Sequence, residues 1–411
     1  MLTNSIALII PFFIWGPFFP DLIVSISSLI FLYHVFKNKD FSYFNIKPLV
    51  IFFIFCVYAI FCSLLSENIL LSFESSLFYF RIGIFACVIW YCIDRDKRIL
   101  KYFYYILVIS FSVLVVDGYI QFFSGKNIMG YPLLSGVRVS SFFGDEHILG
   151  SYLSRLFPLL FALFLLKEKK VKHETYFIGV LFILVDVLIF VSGERAAFAF
   201  LNLSTIFIII LIDRYQKFRL VTFVIALVVI SLLTYSSKTL QQRMISEPAK
   251  TMGLTNDSQN QNVLQRKYIF TPTHDSLIRT AFNMFLDKPI FGHGPKMFRV
   301  ICKDKKYKTG INPCQNHPHN FYVQLLAEMG IIGFSFLFSA FLYVTYSAYR
   351  QLKSIILKQK RHLTDYQVCL LAGILITIWP IAPNGNFFNN WLAIIYSLPV
   401  GFYLQSIYGK K

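Results

Sequence analysis

Apolar stretches long enough to cross a lipid bilayer recur along most of this 411-residue chain, and nothing else in it constrains the fold as strongly. A helix needs roughly 20 mostly apolar residues to traverse the hydrocarbon core, fewer where flanking side chains snorkel. By that measure twelve segments qualify, near 4–19, 21–36, 47–65, 76–92, 102–122, 148–166, 175–192, 195–212, 218–235, 321–348, 367–383 and 389–407. Pro17 and Pro20 fall between the first two, which they can join as one broken hairpin. Inside a bilayer the backbone is satisfied only by helices or closed barrels, and runs of this length specify helices. The expected fold is therefore an all-α polytopic membrane protein of about twelve transmembrane helices. With 56% hydrophobic and only 15% charged residues, a soluble globule is excluded.

The short polar connections set the orientation. "KNKDFSYFNIK", "DRDKRILK", "KEKKVKH", "DRYQKFR", "RQLKSIILKQKRH" and the terminal "KK" hold 21 Lys or Arg and fall on one side of a twelve-span topology. By the positive-inside rule that side is the cytoplasm, which puts both termini of this multi-pass membrane protein there. The opening "MLTNS" is uncharged and no small-residue cleavage motif follows, so the first run is expected to be a retained helix and not a signal peptide.

Residues 236–320 break the rhythm. They separate spans one to nine (residues 1–235) from spans ten to twelve (residues 321–411), and form a polar insertion on the outer face. Up to residue 318 this loop carries thirteen Lys or Arg against five Asp or Glu, a balance that suits an anionic ligand or a lipid surface, or simple solubility. Within it, 246–267 reads as flexible. Leu277, Ala281, Phe282 and Phe285 recur at helical spacing before Pro289 and Gly292 end the helix, which suits an amphipathic helix on the membrane face. Five of the seven cysteines lie in apolar runs; the other two, Cys302 and Cys314, share the external loop, where an oxidising compartment favours a disulfide.

Ionisable groups in or beside spans are costly and mark function. Here they are Arg81, Asp117, Arg155, Asp186, Glu194, Arg195 and Glu328. Among the deep ones, Arg81, Arg155 and Asp186 suit a structural Arg–Asp pair. The topology puts Arg138, Glu194, Arg195, His317 and His319 on the same outer face. Arginine presents a planar fork matched to phosphate oxygens, and histidine accepts a proton near neutral pH. Glycosyl transfer from a lipid pyrophosphate needs both, a clamp for the departing pyrophosphate and a base for the attacking hydroxyl. No D-x-D occurs in the external segments, only "DE" at 145–146, so no metal and no other cofactor is expected. Each residue also has a plainer reading: Arg195 as an interfacial anchor, Arg138 as a loop cation, the histidines as loop polars beside His147, His274 and His293.

Four segments, in this order, resemble the O-antigen ligase and O-antigen polymerase superfamily over roughly residues 75–345: "RVSSFFGDEHILGSYL", "SGERAAFAF", "MFLDKPIFGHGPKMF" and "HPHNFYVQLLAEMGIIGF". The resemblance implies a helical bundle like that of the C-type glycosyltransferases. It also implies transfer of a glycan from undecaprenyl pyrophosphate at the periplasmic face, either to lipid A core (ligase) or to another lipid-linked repeat (polymerase). Membrane lipids would be the surrounding partner, and nucleic acid is not one. Carried over, Arg195, Arg138 and Arg279 would contact the donor pyrophosphate, and His319 would be the base or the group that orients the acceptor, with His317 beside it. Glu194, Asn320 and Glu328 would support them. Pro318 holds the two histidines extended or in a turn, and Gly330 and Gly333 would let helices approach closely. "GDEH" stands where the family commonly has Pro-Asn, and no Trp precedes the Asp-x-Pro element. Ligase is preferred to polymerase; a lipid-linked oligosaccharide flippase, which predicts inverted repeats, is the alternative of another class.

Overall fold

Helices occupy all of the apolar segments. The computed structural model describes residues 5–167, 171–252, 254 and 270–410, and so leaves most of 246–267 outside the described residues. We number the principal helices α1 (Ile6–Trp15), α2 (Phe18–Asn38), α3 (Lys47–Leu64), α4 (Ile69–Arg95), α5 (Arg98–Ser124), α6 (Leu149–Leu166), α7 (Lys172–Val191), α8 (Arg195–Leu211), α9 (Gln216–Ser236), α10 (Pro272–Asp287), α11 (Phe321–Ile356), α12 (Asp365–Thr377) and α13 (Asn390–Tyr408). Nine of these, among the described residues, are long and apolar enough to cross a membrane; α1, α8 and α12 are shorter apolar helices, and α10 belongs to the external loop. The only β contacts among the described residues are two isolated bridges in the loop after α5.

The helices alternate in direction, so their connections gather at two ends. At one end the loops 125–148, 192–194 and 378–389 meet the described parts of 237–320, joined by bonds such as Arg138 to Gly193 and Asn384 to His319. At the other end lie the short basic connections, tied by Arg361 to Asp213 and by Lys410 to Asp40. The most enclosed helix is α6, whose sides are covered by α5, α7, α8 and α12.

Buried charge is settled differently from the expected pairing. Arg81 pairs with Asp21 at 2.8 Å, and Asp186 pairs with Arg219 of α9 at 2.9 Å, while Arg155 has neither. Arg219 also bonds Thr205 and Thr222 and lies over the Phe157 ring, with 0% of its side chain exposed. It was counted among the loop cations of "DRYQKFR", yet its guanidinium turns inward because Asp186 on α7 would otherwise be an uncompensated charge in the bundle.

Two further expectations change. Span eleven ends at Thr377, not near 383, since Pro380 and Pro383 cannot continue a helix, and 378–389 becomes a loop. The amphipathic helix α10 buries Leu277, Ala281 and Met284 against α11 and the 297–307 segment, leaving Phe282 and Leu286 exposed; its apolar face meets protein.

Candidate active site

The loop that carries Arg138 is fixed from below by two fully buried polar residues of α5. The Asp117 carboxylate accepts hydrogen bonds from Ile128 N at 2.9 Å, Ser141 Oγ at 2.6 Å and Asn127 Nδ2 at 3.3 Å. Gln121 Oε1 accepts from Ser140 N at 2.9 Å and Ser141 N at 2.7 Å. A buried carboxylate is tolerable only when saturated in this way, and the saturation leaves the loop one conformation.

From that loop Arg138 donates to the Gly193 carbonyl at 3.4 Å. Arg243 donates to the same oxygen at 3.0 Å, and Arg195 Nε donates to the Arg243 carbonyl at 3.0 Å. Gly193 has φ +70°, and a Cβ there would lie 2.4 Å from Arg243 Nε, so a glycine is what lets these side chains close over the turn between α7 and α8. Glu194 points elsewhere. Its carboxylate accepts from Gly150 N at 2.7 Å and Ser151 N at 3.0 Å, capping the free amides at the start of α6.

Three guanidiniums are thus held together, and none forms an ion pair with a carboxylate among the described residues. Burial, with repulsion from Arg138 and Arg195, pushes Arg243 down to about 10. Burial lowers Arg138 as well, although Glu194 works against this. His147 is held below its ordinary range by burial and by Arg138 and Arg243. Half-buried like charges with unpartnered Nε atoms on Arg138 and Arg243 are an arrangement that an anion completes. The sequence did not single out Arg243; it is one of thirteen cations in the external loop, with no spacing to distinguish it.

The histidines gather where the external loop enters α11. Asn320 is the N-cap, its Oδ1 accepting from Val323 N at 3.0 Å and its Nδ2 donating to Pro380 O at 2.8 Å. His319 is left-handed, with φ +56°, in place of the extended or turn arrangement expected from Pro318 alone. Its Nε2 lies 2.9 Å from Gln315 Oε1, and its ring centroid is 4.1 Å from that of His317 and 5.2 Å from that of His274. Burial, His319 and Arg299 push His317 down to about 3; burial and His319 push His274 down to about 4; burial lowers His319. All three rings are neutral at neutral pH, and a neutral imidazole accepts protons. Cys302 and Cys314 are joined in a disulfide with Cα atoms 5.1 Å apart, which ties the chain just before His317 to the α10 side of the loop.

Beneath them, Gln324 donates to Glu328 Oε2 at 3.0 Å and to Asn386 Oδ1 at 2.7 Å, and Glu328 Oε1 accepts from Phe298 N at 3.1 Å. Gly330 does not mediate close helix approach. It has φ +64° and breaks α11, and the freed carbonyls of Ala327 and Glu328 accept from His293 N at 3.0 Å and Gly294 N at 2.7 Å. A Cβ at Gly330 would lie 2.1 Å from the Ile290 carbonyl oxygen, and one at Gly292 would lie 2.4 Å from the Glu328 backbone. The Asp-x-Pro and Gly-x-x-Gly elements are therefore two halves of one backbone contact. A Cβ at Gly333 would lie 2.3 Å from Met329 Cβ of its own helix.

Arg279 is not brought to the other arginines by any described contact; it pairs with Asp275 of its own helix at 2.9 Å. Among the described residues no three His, Cys, Asp or Glu side chains gather as metal ligands. The two constellations share a wall, the loop 378–389. Its Ala382 packs with Ala196 and Phe200 of α8, next to Arg195, while Asn384 N donates to His319 O at 2.8 Å.

Residues 177–338, from within α7 to within α11, match the model of the family described as O-antigen ligase. Over those residues the chain is similar to the O-antigen ligase family. A comparison with curated proteins gives no match. The O-antigen ligase region contains Arg195, Arg243, Arg279 and the whole "HPHN" segment, but stops short of Arg138. That residue joins the site through its bond to Gly193, which lies inside the region.

Proposed function

We propose that the chain joins a glycan carried on undecaprenyl pyrophosphate to lipid A core, at the periplasmic face of the inner membrane and without a metal ion. The observation that carries this reading is the convergence of Arg138, Arg195 and Arg243, with no paired carboxylate among the described residues, at the same end of the bundle as His319. The arginines hold the donor pyrophosphate. Neutral His319 takes the proton of the acceptor hydroxyl as that oxygen forms its bond to the anomeric carbon. The bond from that carbon to the pyrophosphate oxygen breaks, and the departing charge stays on the arginines. Arg279 would join the donor contacts once its bond to Asp275 is exchanged for the ligand. The choice of lipid A core follows the family's description as a ligase.

The test is glycan transfer by the full chain in nanodiscs, with EDTA present, offering lipid A core and a second lipid-linked glycan in separate reactions. Transfer to lipid A core is expected, with a loss of about a hundredfold to ten-thousandfold in His319→Ala, the range for a general base. Product only on the second lipid-linked glycan would make the chain a polymerase. Full activity in both His319→Ala and Arg195→Ala, or no transfer to either acceptor, would overturn the reading.

A further inference from the structure

Arg155 stands apart from the other buried cations. It lies six residues beyond Leu149, so about 9 Å down α6 from its start. Only 4% of it is exposed. Its guanidinium sits between the rings of Phe200 and Tyr396, 4.8 and 4.7 Å from their centroids. No carboxylate among the described residues pairs with it, and its Nε is buried without a partner. Its one side-chain hydrogen bond runs from Nη2 to Asn384 Oδ1, at 3.1 Å. A buried charge that makes no ion pair is costly to keep, and here it is directed at a single loop.

That loop is the one that holds His319. Asn384 is itself 4% exposed, and its main-chain N–H donates to the His319 carbonyl at 2.8 Å. Two residues' worth of chain is clamped, because Asn320 Nδ2 also bonds Pro380 O at 2.8 Å. A side-chain-bearing residue at φ +56° persists only where its surroundings over-determine it, and these bonds are the over-determination. Two rings lie against the Arg155 guanidinium, and the hydrogen bond from its Nη2 goes to Asn384, whose main chain holds the His319 carbonyl.

We propose that Arg155 is a positioning residue, which through Asn384 fixes the loop that holds His319 left-handed and so sets where the imidazole meets the acceptor hydroxyl. The proposal rests on His319 being the base. Neither Arg155 nor Asn384 falls within the residues matched by the family model.

The experiment compares steady-state transfer by the full chain in nanodiscs for Arg155→Met, Arg155→Lys, Asn384→Ala, Asn384→Asp, His319→Gln and the double variant Arg155→Met/His319→Gln, each checked for folding by thermal unfolding. Arg155→Met and Asn384→Ala should lower kcat by about tenfold to a hundredfold with the donor KM unchanged, the scale of a small misplacement of a catalytic group. Arg155→Lys and Asn384→Asp should recover part of that loss, since each keeps a charge or an acceptor oxygen at the contact. The double variant should be no slower than His319→Gln alone, because a positioning residue has nothing left to position. If Arg155→Met does not fold, Asn384→Ala decides, for it cuts the same link and leaves the cation and the main-chain bond in place. Wild-type kcat in folded Arg155→Met or Asn384→Ala, or a further loss in the double variant, would overturn the positioning role while an inactive His319→Gln leaves the base assignment standing. Full activity in His319→Gln would remove the base assignment and the positioning role together.

Discussion

Arg219 and Arg243 lie on consecutive parts of the chain and illustrate opposite uses of a cation out of water. Arg219 is fully enclosed and bonded to Asp186, Thr205 and Thr222. Arg243 is half-buried, faces Arg138 and Arg195, and donates to a carbonyl oxygen with no carboxylate paired to it among the described residues. In the first the protein supplies the counter-charge; in the second it supplies more of the same charge. A satisfied cation holds helices together, whereas an unsatisfied one is available to a ligand. Of these two, the pair with Asp186 ties α9 to α7, while Arg243 stands with Arg138 and Arg195 at the loop end.

The sharpest way to break this comparison is to remove Arg219. Arg219→Met should cost about 3–5 kcal/mol, because Asp186 would remain buried and uncompensated, and thermal unfolding in detergent measures it. Replacing both partners with apolar residues should restore most of that loss. Next in size, Arg243→Met should leave the unfolding temperature unchanged or raised, while reducing kcat/KM for transfer by about 1.5–3 kcal/mol, the worth of a hydrogen bond to a charged group. If Arg243→Met unfolds the protein instead, the distinction between the two arginines fails. The last test concerns His317, whose buried Nε2 has no partner among the described residues. Its folded-state value is pushed down to about 3 against an ordinary 6.5. Between those values the unfolded chain binds a proton that the folded chain does not. The contribution of His317 to stability is therefore whole above 6.5 and is lost as pH falls toward 3. Unfolding temperatures followed from about pH 4 to 8 should show a shallower acid decline in His317→Gln than in wild type.

The helical segments were legible because hydrocarbon thickness imposes a length on the sequence, and polar residues at their ends mark where the length is reached. Helix breaks were less so. Gly330 reads as one more small residue on an apolar face, and only the approach of 290–294 gives it a positive φ. The site was legible where a residue type is unusual for its position: Arg195 at a span start, two histidines around a proline. Arg243 escaped notice because a cation in a basic loop is ordinary, and Asn384 because an asparagine between a proline and a glycine reads as a turn. Arg219 misled for the same reason, as proximity to a basic connection says nothing about which way the side chain turns. Partners separated by dozens of residues, Arg155 with Asn384 or Asp186 with Arg219, exist only once the helices have been brought together.

The break at Gly330 also divides α11 into two limbs with different neighbours. The limb from Ile331 to Ile356 is about 39 Å long, more than a hydrocarbon core of roughly 30 Å, a mismatch that a helix meets by tilting. Were α11 a straight rod, any change of lean would swing His319 and Asn320 at its tip. Instead the short limb from Phe321 to Met329 is held to the 289–294 segment by His293 N to Ala327 O and Gly294 N to Glu328 O, and to α3 by the Tyr58 hydroxyl, which donates to Met329 O. The height of the histidines is therefore set by the 289–294 segment and by the loop that grips them from above, and not by the length of the limb beyond the break.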